Sequence, residues 1–557
     1  MNAATPSAAW QQYPATGSLP MPPSEQSSRR ILGLLLHPLT AICVVQTILS
    51  LILALSNTVF GDEADYLRVG QMEWAQWLHG VSWPAASAEQ HLSGSPVIYP
   101  PIGALADSIG GLAGARILSL IFMLGATVLL YLTASRLLGR AEAGVATALW
   151  AFSEPALRLA FATFDALSVA LTALSALFAL QAGYRQRGTP YVAAAVITLA
   201  LANATAYSGL IIDPVVIAFA FLVWLPRMGA RPALLRAACF AAGLAVSFVL
   251  LIIGSRSWHG LLYTVLSRAY ADHQSVHLIL NDIWVYSGLI ISLAVIGVAI
   301  AVSSEGRQRA ALLVLLGCGA LVVPAAQLND QTGWSLDKHL AYGIWFAAMP
   351  AGYACVKLVR KLPEVSRQLV AACCVIAVIY PAANGWKSAW NVYHSWPNAN
   401  SFITTFKPIA ARSRGLIYTS GQDLIAEYYT PQGRDSSRWG TALSLNPAGI
   451  RTSALESYYA RQLRDNNYGI IVLFYATTFS SVPNLPDPLL VSPPGRDTDQ
   501  QHILGLEGDN PGEPGLPELT LAIENDASYI TKGAWTGPYD STNENGIYVV
   551  WQKKPQR

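Results

Sequence analysis

Long, predominantly apolar stretches recur along the first 390 residues, separated by short polar connections, and beyond them the pattern stops. Stretches of this length suit helices that cross a bilayer, at 1.5 Å rise per residue against about 30 Å of hydrocarbon. The pattern predicts eleven spans, roughly 38–57, 112–134, 143–160, 164–182, 190–207, 210–225, 234–254, 284–302, 310–327, 340–356 and 368–386. The first of them is able to direct insertion itself, so no cleavable signal is required.

Between the first two stretches the spacing changes. From Asp62 the apolar residues Tyr66, Leu67, Trp74, Trp77, Leu78 and Val81 recur every three or four positions, against Asp65, Arg68, Glu73 and Gln76. That period predicts a helix lying along the membrane surface, with Asp62, Glu63 and Asp65 near its N-terminus. Trp74, Trp77 and Trp83 suit the headgroup zone, where an indole is half apolar and half polar. The double proline of Tyr99-Pro100-Pro101 cannot continue a regular helix, so it starts or bends the segment entering the second span.

Lys and Arg then orient the chain. Alternate connections carry Arg29 and Arg30, Arg136 and Arg140, Arg185 and Arg187, Arg227 to Arg236, Arg307 and Arg309, and Lys357 to Arg367. The positive-inside rule assigns these to the cytoplasm. Residues 1–28, rich in Ala, Ser, Pro and Gln, read as a disordered cytoplasmic tail ahead of a membrane domain over 29–387. The loops 58–111 and 255–283 face outward, and eleven crossings put residues 388–557 outside as well. That last region reads as a soluble α/β domain. Its strands are expected at 415–419, 470–475, 529–535 and 547–551, with helices from 420 to 429 and from a capping box at Ser453-Ala454-Leu455-Glu456.

Composition agrees with a polytopic membrane protein: 53% of the 557 residues are hydrophobic and 12% charged, against about a quarter charged in soluble proteins. The 35 Lys and Arg nearly cancel the 33 Asp and Glu, which argues against a nucleic-acid surface. All six cysteines sit in apolar segments, without disulfide or metal spacing. His273 and His277 would share a helix face, but no third ligand at diagnostic spacing accompanies them, so no structural zinc is predicted.

The candidate chemistry is acidic. Asp62, Glu63 and Asp65 stand where a membrane helix meets water, either as a base poised over a lipid-borne substrate or as a helix cap with solvated neighbours. Asp165, in Phe161-Ala162-Thr163-Phe164-Asp165, lies on the same outer side inside apolar sequence, where an acid is costly unless paired or wetted. Glu154 and Arg158, four apart, suit an ion pair.

These acids alternate with Tyr99-Pro100-Pro101, Ala115-Arg116-Ile117-Leu118-Ser119 and Tyr131 to Arg140 in an order that resembles the membrane-embedded glycosyltransferases of the C-type fold. By pattern the chain is similar to the protein O-mannosyltransferase and aminoarabinose transferase superfamily, most clearly over residues 38–185. The resemblance implies transfer of a sugar from a polyprenyl phosphate, with inversion, to a lipid, polysaccharide or protein acceptor outside the cytoplasm. It casts Asp62 as general base, Glu63 as the neighbour that orients it and Asp165 as a second acid, with Asp65 and Tyr66 near the substrate. Tyr99 stands where some members carry a Lys, so the cation for the donor phosphate is sought in Lys338 and His339 or in Arg268. The acidic pair could also hold a divalent ion, Mg or Mn. Two other readings stay open: a multi-pass transporter, for which the expected inverted repeats are not found, and a non-catalytic cell-envelope assembly protein.

Overall fold

The computed structural model describes residues 38–55, 58–59, 61–82, 92–185, 188–267, 274–333, 335–361, 363–395, 400–419, 423–430, 438, 450–477, 515–538 and 545–554. Trp83, Arg268, His273, the 1–28 tail and most of 476–515 lie outside these residues.

The chain is a multi-pass helical membrane protein with a C-terminal α/β domain. Among the described residues, seven helices are long and apolar enough to cross a membrane: Tyr99–Leu137, Asp165–Tyr184, Tyr207–Met228, Ala230–Gly254, Val276–Ser304, Arg307–Asp330 and Ser366–Trp390. The other four expected spans differ in instructive ways. Pro38–Ala54 and Thr189–Thr205 are apolar but have 17 residues each, or about 26 Å of helix. The 143–160 stretch is not one helix. Arg140–Ala151 ends, Ser153 is extended, and a short helix Glu154–Leu157 runs into a 3-10 turn Arg158–Ala160. Pro155 accounts for the restart, since proline suits a first helical turn but cannot donate within a continuing one.

The fourth, Leu336–Lys361, is the axis of the bundle. Every residue from Leu340 to Cys355 is buried, packed chiefly against Val276–Ser304, Arg307–Asp330 and Arg140–Ala151. Trp345 and Trp150 satisfy their indole N–H groups on the carbonyls of Ala126 and Ala341, at 3.1 and 3.0 Å. Enclosed by protein, the polar residues of its first turn can meet partners on neighbouring segments rather than lipid.

The surface helix forms as Gly61–His79. The double proline opens the next helix, and the bend falls at Gly111, whose φ of 63° a residue with a side chain rarely adopts. The two helices meet at Gly70, where a Cβ would lie 1.9 Å from the Pro100 carbonyl oxygen. Trp74 Nε1 donates to the Pro101 carbonyl at 2.8 Å. Asp65 and Glu73, expected on the wet face, are instead buried, while Trp77, Leu78 and Val81 are exposed. The helix is covered on its polar side by protein, which a spacing argument cannot anticipate.

That cover is the C-terminal domain. Its sheet runs β1 (Leu416–Thr419), β2 (Tyr468–Thr477), β4 (Asn545–Lys553), β3 (Tyr529–Pro538), with β1 parallel to β2 and the other pairs antiparallel. Alternation along β2 divides two cores. Ile471 and Leu473 pack with Tyr459 and Leu463 of helix Leu455–Asp465 and with Leu519 and Ile523 of helix Leu516–Glu524. Ile470 and Val472 face Phe402 and Phe406 of helix Asn400–Arg412, together with Val59 and Ala64. The predicted capping box does not form: Thr452–Ala454 is a 3-10 turn and the helix starts one residue later, uncapped by Ser453.

Candidate active site

Val59 and Ala64 flank Asp62, so the second face of the sheet seats itself around the start of the surface helix. Further contacts fix it there. Arg68 joins Asp65 at 3.3 Å and Glu427 at 2.8 Å. Tyr428 Oη donates to Asp107 at 2.5 Å, and the Val59 amide donates to Tyr429 Oη at 2.9 Å. Burial and the Asp107 carboxylate raise the Tyr428 phenol, and burial pushes Tyr429 up to about 12, so both remain protonated contacts. Asp65, expected beside the substrate, is thereby an anchor for the C-terminal domain. Glu427, Tyr428 and Tyr429 of helix Asp423–Tyr429 thus dock the domain against Arg68, Asp107 and Val59.

Asp62 and Asp165 converge, although they are far apart in sequence. Lys338 Nζ lies 3.2 Å from Asp62 Oδ2 and 3.2 Å from Asp165 Oδ2. The environments of the two acids differ: the Asp62 side chain is 40% exposed, while that of Asp165, at the start of helix Asp165–Tyr184, is fully buried. Thr163 Oγ1 donates to Asp165 Oδ2 at 3.0 Å, and His339 Nε2 stands 3.8 Å from Asp165 Oδ1. The other ring nitrogen of His339 lies 3.4 Å from Gln327 Nε2. Lys338 precedes the apolar 340–356 stretch, in the first turn of the axial helix. Burial works against its charge, but Asp165 and Asp62 overcome this and hold the ammonium above its ordinary range.

Glu63 points elsewhere. It is fully buried and held bidentately by Arg116, at 2.8 Å from Nε and 2.7 Å from Nη2. It also accepts from the Ala162 amide at 2.7 Å, while Arg116 Nη2 reaches the Thr58 carbonyl at 3.2 Å. Adjacent helical side chains diverge by about 100°, so Asp62 faces the site as Glu63 faces the protein. Rather than orienting Asp62 by direct contact, Glu63 ties the surface helix to the 161–163 segment leading into Asp165. Arg116 is the partner that sequence reasoning missed as a site residue. Its signal was a cation within an otherwise apolar span.

Tyr66 and Tyr99 sit beneath this cluster. Their rings meet edge to face at 6.5 Å, Tyr66 lies 4.6 Å from Phe164, and Lys338 stands 6.0 Å above Phe164. Tyr99 Oη is 3.1 Å from Ser119 Oγ. Both tyrosines are buried and form an aromatic floor.

The arrangement does not fit a divalent ion as it stands. Mg or Mn wants several oxygen ligands, but the space between the two carboxylates is spanned by an ammonium. Among the described residues, no three His, Cys, Asp or Glu side chains are grouped to hold a metal.

No family profile and no curated protein sequence matches the chain. Solved structures do. The oligosaccharyltransferase of Archaeoglobus fulgidus, in complex with Zn and sulfate, superposes with a TM-score of 0.51 at 14% identity, covering 78% of this chain and 67% of its own. The same archaeal enzyme, AglB, with an inhibitory peptide and a dolichol-phosphate, gives 0.50 at 14% identity, covering 78% and 69%. ArnT from Cupriavidus metallidurans bound to undecaprenyl phosphate gives 0.53 at 12% identity, covering 93% of this chain and 98% of its own. Both neighbours are glycosyltransferases, and across this sequence distance what they share with the present chain is its architecture: it has the C-type fold of the membrane glycosyltransferases.

Proposed function

We propose that the protein transfers a sugar from a polyprenyl-phosphate donor to an acceptor on the extracytoplasmic face, with inversion. The observation that carries this reading is the convergence of Asp62 and Asp165 on Lys338, at one end of a bundle whose structural neighbours were solved with dolichol-phosphate and undecaprenyl phosphate. The positive-inside rule supports this orientation, since Arg136, Arg140, Arg227, Arg307, Lys357 and Arg360 stand at the helix ends remote from Asp62.

Asp62, half exposed at the helix start, is the general base. The acceptor oxygen attacks the anomeric carbon and its proton passes to the Asp62 carboxylate. The bond from that carbon to the phosphate oxygen breaks, and the electron pair leaves with the polyprenyl phosphate. Lys338, kept protonated, offers a point charge to the phosphate as it gains charge. Asp165 is buried beneath Lys338, so it acts through that ammonium as a positioning residue rather than touching the sugar. His339 completes its polar surround. Glu63 and Arg116 brace the two acid-bearing segments.

The test uses the full chain in lipid nanodiscs with an undecaprenyl-phosphate-linked sugar. Asp62→Asn is expected to abolish transfer while leaving the thermal melting curve in place. Undiminished transfer by a folded Asp62→Asn protein would remove Asp62 from the role of base.

A further inference from the structure

A cavity of about 730 Å³ lies between the 153–158 segment, the Val276–Ser304 helix and the Glu364–Ser395 helix. None of its lining residues belongs to the Asp62, Asp165 and Lys338 cluster, yet the two adjoin. Arg158, in the cavity wall, lies 3.6 Å from Asp337 Oδ2, and Asp337 directly precedes Lys338.

The wall combines two kinds of surface. Trp284, Tyr286 and Tyr380 contribute rings, with Trp284 and Tyr380 more than half exposed. Glu154, Asn384 and Ser388 contribute directional polar groups. Glu154 already accepts from Ser388 Oγ at 2.5 Å and from Arg158 at 3.2 Å, so it is held in a fixed orientation with lone pairs to spare.

The mixture discriminates among ligands. An acyl chain would leave a carboxylate, an amide and a hydroxyl facing hydrocarbon, which is costly. A phosphate would meet the Glu154 carboxylate as well as the Lys387 ammonium, and since the adjacent Arg158 is committed to Glu154 and Asp337, the wall offers it no excess of positive charge. A sugar ring meets both surfaces: its C–H face lies against aromatic rings, and its hydroxyls donate to a carboxylate and pair with an amide. We propose that this cavity is the acceptor subsite and that the acceptor is a carbohydrate. This assignment rests on the glycosyltransferase reading, and deepens it by naming the acceptor class.

Saturation-transfer difference NMR on the full chain in nanodiscs, with maltotriose and N,N′-diacetylchitobiose as probes, tests the assignment. Wild-type protein is expected to saturate at least one of the sugars. Trp284→Ala and Asn384→Ala should each weaken that binding about fivefold, the size of one lost aromatic or polar contact. Undecaprenyl phosphate should not displace the sugar. Absence of sugar binding by wild type, equal binding by the variants, or displacement by undecaprenyl phosphate would each overturn the proposal, the last by making the cavity a donor site. Asp62→Asn separates the two readings. Sugar binding retained without transfer supports both, whereas sugar binding retained with full transfer leaves the subsite standing and removes the base.

Discussion

The two ends of the helical bundle use charge differently. At the end away from Asp62, the carboxylates Glu305 and Glu142 are each matched or outnumbered by cations. Glu305 accepts from Lys357 at 3.0 Å and pairs with Arg309 at 3.3 Å, and Glu142 pairs with Arg360 at 2.9 Å. At the Asp62 end, one ammonium is divided between two carboxylates brought from separate parts of the chain. A matched pair has no charge left over, while a cation divided between two carboxylates leaves net negative charge at the site. The contrast recurs within one helical turn, since Glu63 is matched by Arg116 and its neighbour Asp62 is not.

If this contrast governs function, substitutions should sort by it. Asp62→Asn is expected to lower transfer about a thousandfold, measured per folded molecule with a polyprenyl-phosphate-linked sugar. Arg116→Met should act on stability instead, costing about 4 kcal/mol because it leaves the buried Glu63 charge uncompensated; thermal melting in nanodiscs reads the loss. An Arg116→Met protein that melts like wild type would mean that the brace is dispensable. Lys338→Arg keeps the charge but replaces a compact ammonium by a planar fork, and a loss of about tenfold in transfer with little change in melting is expected. Smallest of all, Arg309→Ala at the matched end, where Lys357 and Tyr353 still hold Glu305, should shift stability by less than about 1 kcal/mol and leave transfer untouched. A large activity loss there would show that imbalance is not what distinguishes the two ends.

Much of this could be read from the sequence because it depends on local pattern. The apolar stretches marked the long helices, the spacing after Asp62 marked the surface helix, and Asp165 and Lys338 stood out as charges beside hydrocarbon. What escaped depends on contacts between distant segments. Nothing near Glu63 indicates that Arg116 will claim it, and nothing near Arg68 points to Glu427 across the sequence. The 143–160 stretch was apolar enough to suggest one span, but Pro155 divides it, and Ser153, Glu154 and Arg158 around that break line the cavity of about 730 Å³. Helix Leu516–Glu524 lay next to a run of Pro, Gly and Asp that masked its start, where Gly515 takes a φ of 95°.

The meeting of Gly70 with Pro100 has a further consequence. With no room there for even a methyl group, the surface helix is pinned by main chain more than two turns from its acidic tip, and that tip inherits its placement from the pin. A single added carbon at position 70 should therefore swing the Asp62 carboxylate away from its ammonium.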